Sequence, residues 1–553
     1  MITALRQICF ALMPLLFIAC SKSNSNGDTP STFNSTGVSV DDKSGGNTFS
    51  NVRVNPVIKF SFSAPIQQSS ISNSFSIKEE GGAAVAFNAA LENNNTVVVL
   101  QPATALKAFT KYTVIGTTGL QSQSGAKLSA PVGITITTSL DSSDKLPRLS
   151  DEALLDLVQR QTFKYFWEFG HPVSGMARER NTSGDVVTTG GTGFAIMAMV
   201  TAVHRGFISR EEGRTRIQKI VDFLEGADKF KGAFPHWLNG ATGRVQPFSA
   251  KDDGADLVET SFLMQGLLTA RQFFNSADAA ETGLRADINA LWQGVDWTWF
   301  TKGGENVLYW HWSPAYQWEM NHRIQGWNEA LITYVLAAAS PTHTISKAVY
   351  DEGWARNGAM RNGGTHFGIQ LPLGPSFGGP LFFAHYSFLG LNPNGLTDAY
   401  ANYWEQNRAH TLINRAYAIA NPKGFAGYSD AVWGLTASDD NKVGYLAHDP
   451  TNDNGVIAPT AALSSMPYTP EESMKALKFF YYTLGDKLWK EYGFVDAFNL
   501  TDGWFASSFL AIDQGPIIVM IENHRSGLLW NLFMSAPEVK AGLRKLGFQS
   551  PHL

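Results

Sequence analysis

Five carboxylic acids stand where their surroundings make acid–base chemistry conceivable. Asp252, Asp256 and Glu259 fall in the run Asp252-Asp253-Gly254-Ala255-Asp256-Leu257-Val258-Glu259-Thr260. Their spacing of four and then three aligns them on one stripe of a helix start. Like charges so close raise the pKa of one of them, as a general acid requires. The same acids would equally well cap a helix and complement its dipole, for which Asp253 with Asp256 would suffice. A calcium loop is a third alternative, but the Asp-x-Asp-x-Asp-Gly register is missing. Glu329 closes the polar run Trp318-Glu319-Met320-Asn321-His322-Arg323-Ile324-Gln325-Gly326-Trp327-Asn328-Glu329, and Ala330 to Ala339 is almost wholly apolar. A carboxyl where a polar loop enters a buried helix is a candidate proton holder; its plainer role is to stabilise that helix's first turn. Asp513 is a lone acid between the apolar runs around Phe509 and Ile517, with helix capping as its alternative and Pro516 in the first turn. Glu522 and Arg525 follow, either hydrogen-bonding a substrate or decorating a solvated helix face.

Other chemistries find little support. Gly374-Pro375-Ser376-Phe377-Gly378 matches a nucleophile elbow in letters only, with no strand before it. The 12 histidines form no His-x3-His pair with a third ligand, so no metal and no cofactor is expected. The only cysteines are Cys9 and Cys20, which leaves no disulfide for a mature chain. A formal charge of −5 without a basic run excludes counterion-release binding to nucleic acid.

The elements that must position these acids are mostly helical. After a polar linker from Asp141 to Pro147, a helix is expected from about 150 to 169. Others are expected near 190–205, 210–227, 256–275, 284–299, 326–340, 397–419, 471–485, 516–533 and 537–546. So many helices without a fixed repeat predict an all-α (α/α)6 toroid over 147–553, with its cleft where long loops meet at one rim. From about 51 to 140 the pattern changes. Short β-branched runs such as Val57 to Phe62, Val97 to Leu100 and Ile134 to Ile136 predict a small all-β sandwich of about seven strands, a spacer without a titratable cluster.

Residues 21–50 are Ser, Asn, Gly and Thr and read as a flexible linker. The first 20 residues read as a signal peptide ending in Phe17-Ile18-Ala19-Cys20, a resemblance to a lipoprotein processing site with Cys20 lipidated. That places the protein in the cell envelope, in the periplasm or at the outer membrane, with a lipid as its sole membrane attachment.

The sandwich resembles bacterial Ig-like modules through Asn55 to Ser63 and Phe109-Thr110-Lys111-Tyr112. The helical region resembles glycoside hydrolase family 144, which groups with glycoamylase-type domains. Six segments in order carry that resemblance: Asp252 to Thr260, Gly326 to Glu329, Gly379 to Ser387, Trp404 to Arg408, Asp453 to Ala461, and Asp513 to Pro516. The resemblance implies an (α/α)6 fold and inverting hydrolysis of β-1,2-glucan, internally or with release of sophorose. Inversion places acid and base roughly 6.5–9.5 Å apart, with room for water between. By the same resemblance Glu329 is the general acid and Asp513 the base, with Asp252, Asp256 and Glu259 lining the cleft or sharing the chemistry. Sugar contacts are expected from Trp318, Asn321, His322, Arg323, Gln325, Trp327, His385, Tyr386, Trp404, Arg408, Glu522 and Arg525. A glucoamylase-like hydrolase of another glucan, or a non-catalytic surface glycan-binding lipoprotein, is the competing expectation.

Overall fold

The protein is described by a computed structural model over residues 32–553, in two compact units divided between Leu140 and Asp141. The signal peptide, Cys20 and the start of the linker lie outside the described residues.

The first unit is a β-sandwich of two five-stranded sheets. One is ordered Thr48–Val52, Val132–Thr138, Lys111–Gly116, Phe75–Glu79, Ala84–Val85; the other Lys43–Ser44, Ser35–Val40, Ile58–Phe62, Val97–Pro102, Phe87–Glu92. Alternation builds the core: Ile58, Phe60 and Phe62 point into it while Lys59 and Ser61 face outward. The expected linker ends sooner than its composition suggests. Ser35–Val40 already pairs antiparallel with Ile58–Phe62, and Phe33, Val40 and Phe49 are buried. Too few apolar residues stand in that polar stretch to betray strands, and it is the partner sheet that recruits them.

The second unit contains eleven helices of eight or more residues among those described. They are α1 (Asp151–Trp167), α2 (Thr189–His204), α3 (Arg210–Gly226), α4 (Leu257–Phe273), α5 (Ala279–Gln293), α6 (Leu331–Ala339), α7 (Tyr403–Ala420), α8 (Pro470–Lys478), α9 (Ala511–Ser526), α10 (Leu528–Ser535) and α11 (Pro537–Leu546). Helix α2 is buried on all sides and packs against both α4 and α9. Glycine makes the approach to α4 possible. A Cβ on Gly193 would lie 2.1 Å from the Phe262 carbonyl oxygen, and one on Gly266 2.2 Å from that of Gly193.

Two expectations change here. The helix expected over 516–533 is two helices, α9 starting five residues earlier and ending before Gly527, whose φ of 69° only glycine adopts without strain. Pro516 is therefore inside α9, not in its first turn. The unit is also not purely helical. Short antiparallel ribbons join its loops, among them Val186–Thr188 with Trp237–Asn239, and Ala255–Asp256 with His311–Trp312. Among the described residues no helix is long and apolar enough to cross a membrane.

Candidate active site

The Asp256 side chain caps α4, its Oδ1 accepting from the N–H groups of Val258 and Glu259 at 3.0 and 2.9 Å. Its Oδ2 collects donors from elsewhere: Trp310 Nε1 at 3.2 Å and His236 Nδ1 at 3.2 Å. The ribbon sets Asp256 opposite His311, whose Nε2 lies 3.5 Å from that oxygen and 3.4 Å from Asp252 Oδ2. Asp256 is thus wholly engaged. Burial favours its neutral form, but the two imidazoles outweigh burial and hold it well below the usual carboxylate range.

The neighbouring acids go the other way. Burial and the Asp256 charge raise Asp252 to about 6. Burial raises Glu259 to about 7 with Asp256 and Asp252 adding, against the lowering effect of His236 and of the Gly190 N–H that donates to Glu259 Oε2 at 2.7 Å. For His236, burial disfavours the charged ring, yet Glu259, Asp256 and Asp252 together push it up to about 9. Its imidazolium lies 3.9 Å from Glu259 Oε1 and supplies the positive charge among these acids. Phe248 stacks on the ring, centroids 4.4 Å apart, and remains half exposed as an apolar platform beside the acids. The ligand atoms of His236, Asp252 and Asp256 all lie within 4.8 Å of one another, but with His236 protonated the set offers a cation two carboxylates and no imidazole nitrogen. Three separate chain segments build this acid–imidazole cluster, with His311 the most distant of them, so spacing rules along the sequence do not reveal it.

Glu329 stands just before α6, not in its first turn, so its plainer role disappears. Its backbone is fixed instead: the Ser387 hydroxyl donates to the Glu329 carbonyl and accepts from the Ile332 N–H at 3.0 Å. Burial, with Glu259 and Asp256 adding, raises its carboxyl to about 7. Asp513 lies in the first turn of α9, 2% exposed, and caps nothing. Burial and the neighbouring Asp496 raise it well above the usual range.

Tyr386 links the two groups. It is buried, and its phenol is pushed far up by burial and by Asp513, Tyr445, Glu329 and Glu259 together. One hydroxyl therefore lies in the field of acids from α4, from the loop before α6 and from α9.

Of the expected sugar contacts, Tyr386 and His322 are at this site. His322 stacks on Trp310, centroids 4.8 Å apart, and lies close enough to feel Asp256. Trp318 packs with Trp299, Phe300 and Tyr309 in a neighbouring aromatic cluster. Arg323 is tied to Tyr309 and Glu305, and Asn321 to Lys302. Gln325 and Arg408 are exposed, and Trp404 packs edge-on to Tyr468.

Four expectations are corrected. Trp327 is buried against Phe388 and Tyr403. His385 is buried, its Nε2 engaged by the Ser465 hydroxyl at 2.9 Å. Glu522 is sealed against Arg205, and Arg525 against Glu152 and Gln159. The nine residues from Asp513 to Glu522 carry that pair about 13 Å down α9, so a helix that places one acid in the site necessarily withdraws the other.

Sequence reasoning missed His236, His311, Phe248 and Asp496. None has local periodicity or motif context.

Fold and site together define the class: an Ig-like module followed by a helical unit whose buried carboxyl groups are divided between neutral and ionised forms. Residues 34–138 match the bacterial Ig-like domain family, 321–537 the Glycoamylase family, and 158–255 a family of unknown function. The endo-β-1,2-glucanase of Chitinophaga pinensis is 55% identical with a TM-score of 0.72, over 73% of this chain and 100% of that one. The β-1,2-glucanase of Parabacteroides distasonis is 40% identical with a TM-score of 0.71, over 94% of this chain and 73% of that one. The exo-β-1,2-glucooligosaccharide sophorohydrolase (non-reducing end) of P. distasonis is 50% identical over 421 residues, and the chain spans 58% of its length. The chain belongs to the glycoside hydrolase family 144 group of glycoamylase-type proteins.

Proposed function

We propose that this protein hydrolyses β-1,2-glucan or its oligosaccharides with inversion, on a helical unit closed as an (α/α)6 toroid. Glu329 is the general acid. It keeps its proton up to about pH 7 because burial disfavours its charge and the nearby Glu259 and Asp256 disfavour it further. Its proton passes to the departing glycosidic oxygen as the C–O bond breaks. Asp513 is the base that takes a proton from the attacking water. Asp252 and Glu259 hold the sugar beside them through hydroxyl hydrogen bonds, while Asp256, engaged by its own donors, fixes the two imidazoles, with Phe248 and Trp310 as apolar faces. The relatives named for β-1,2-glucan and its oligosaccharides support the choice of linkage.

One arrangement carries the reading: Glu329, Glu259 and Asp513, far apart in the chain, all lie near enough to the buried Tyr386 phenol for their charge to push it up. Incubation with linear β-1,2-glucan, starch and laminarin, followed by reducing-sugar assay and product sizing, tests it. Release from β-1,2-glucan alone is expected, with the anomer of the new reducing end inverted; equal or greater release from starch overturns the linkage. The envelope location and the lipid on Cys20 belong to the same proposal, resting on the first 20 residues.

A further inference from the structure

We propose that Asp496 is the positioning residue of the base: it shares a single proton with Asp513, so the two carboxyl groups act as one unit towards water. The inference rests on the reading of Asp513 as the base.

Asp496 lies between the short strands Gly493–Phe494 and Phe498–Asn499, and like Asp513 is 2% exposed. The two carboxyl groups are within hydrogen-bonding reach of each other. On each, one oxygen is sealed from solvent without a donor: Oδ1 of Asp496 and Oδ2 of Asp513. Two carboxylates cannot satisfy one another, since both only accept. A proton between them supplies the missing donor to both.

The surrounding charges demand the same proton. Asp496 Oδ2 accepts the Asp439 N–H at 2.7 Å. The Asp439 carboxylate is held by Arg180 at 3.1 Å and by the Ser508 hydroxyl. Arg180 also serves Glu179, at 3.0 Å. The remaining titratable groups facing the pair are the phenols of Tyr445 and Tyr386, both pushed far up and neutral. One guanidinium therefore already answers two carboxylates, which leaves a doubly ionised pair in a buried site without a countercharge of its own. Burial raises both members, Asp496 to about 7.

The chemical step balances on these terms. The water oxygen bonds to the anomeric carbon and one of its protons passes to the singly ionised pair, which becomes a neutral diacid. The glycosidic C–O bond breaks, its electrons go to the leaving oxygen, and that oxygen takes the Glu329 proton. Exchange with solvent then returns one proton to Glu329 and removes one from the pair.

The test compares full-length wild type, Asp513→Asn, Asp496→Asn and Asp496→Glu on a β-1,2-gluco-oligosaccharide across pH. Asp513→Asn is expected to lose at least about 10²-fold in kcat, the contribution of a general base. In Asp496→Asn a neutral amide replaces the neutral carboxyl and donates more weakly to Asp513, so the monoanion loses stabilisation. The acid limb of kcat/KM then moves up by about one pH unit, with KM within about twofold. Asp496→Glu restores the wild-type limb. An unmoved limb in folded Asp496→Asn overturns the proposal. Infrared spectra do not depend on that variant folding: in the wild type minus Asp513→Asn difference spectrum at pH 7, where the bands of Glu329 and Glu259 cancel, a protonated-carboxyl C=O band is expected, and its absence overturns the shared proton. Activity surviving in Asp513→Asn sinks the base assignment itself, whereas a dead Asp513→Asn beside an unmoved Asp496→Asn limb sinks only the pairing.

Discussion

At the scale of single residues, the site works by giving chemically similar acids different surroundings. Asp256 receives two imidazoles, an indole and two backbone donors and stays charged, while Glu329 receives burial and two like charges and keeps its proton up to about pH 7. Replacing Glu329 with Gln keeps the shape and removes the transferable proton. A fall of about 10²–10⁴ in kcat is expected, the usual worth of a general acid, while calorimetry shows oligosaccharide affinity largely retained. The same shift has a sign in stability. A carboxyl raised to about 7 in the folded chain binds its proton more tightly than when unfolded, so its contribution is complete at acid pH and is lost as pH rises through about 7. Thermal unfolding is therefore expected to show Glu329→Gln gaining relative to wild type between about pH 5 and about pH 8; a constant difference would contradict the burial argument. Activity should fall above about pH 7 for the same reason, as the acid loses its proton.

At the scale of elements, α2 is the spine that brings α4 and α9 to the same place. Gly193 and Gly266 let α2 and α4 touch backbone to backbone, while Gly515 accepts Phe194 on the α9 side, where a Cβ would lie 2.5 Å away. Gly190 bears on the acid itself, since a Cβ there would lie 2.6 Å from Glu259 Oε2, the atom its N–H holds. Gly193→Ala must push helix backbones apart, and a loss of about 1–3 kcal/mol is expected from overpacking, read as a lower Tm and denaturation midpoint. Gly190→Ala is expected to leave the fold largely intact yet displace Glu259, read as reduced kcat with a smaller fall in Tm. Equal effects of the two variants on Tm would mean that Gly190 matters only for packing.

At the scale of the whole molecule, the Ig-like unit has its own closed core of Phe, Ile and Val side chains, and every acid named in the site belongs to the other unit. A chain starting at Asp141 is therefore expected to hydrolyse short oligosaccharides with kcat within about twofold of the full-length protein, as for a domain with its own core that acts as a spacer. A larger loss would assign the Ig-like unit a part in substrate handling. Lipidation is testable separately: Cys20→Ser is expected to move the protein from the membrane fraction to the soluble one.

The acid-bearing segments and the nature of the helical unit were legible in the sequence because periodicity and cap chemistry are local properties. Glu329 and Asp513 announced themselves as acids at apolar boundaries, and α1 to α4 follow their expected ranges within a residue or two. The helix stripe expected of Asp252, Asp256 and Glu259 does not form, since only Glu259 is inside α4, Asp256 caps it and Asp252 precedes it. What each acid does was not legible, because a pKa is set by whatever packs against the group from elsewhere in the chain. His311 reaches Asp256 only through a two-residue ribbon, His236 arrives on another loop, and Asp496 meets Asp513 across a gap of 17 positions. Glu522, expected as a sugar contact, lies farther down the helix that carries Asp513, and the rise of that helix moved it out of reach. Local sequence thus determined which groups were available, and tertiary packing decided which of them share water, protons and a cleft.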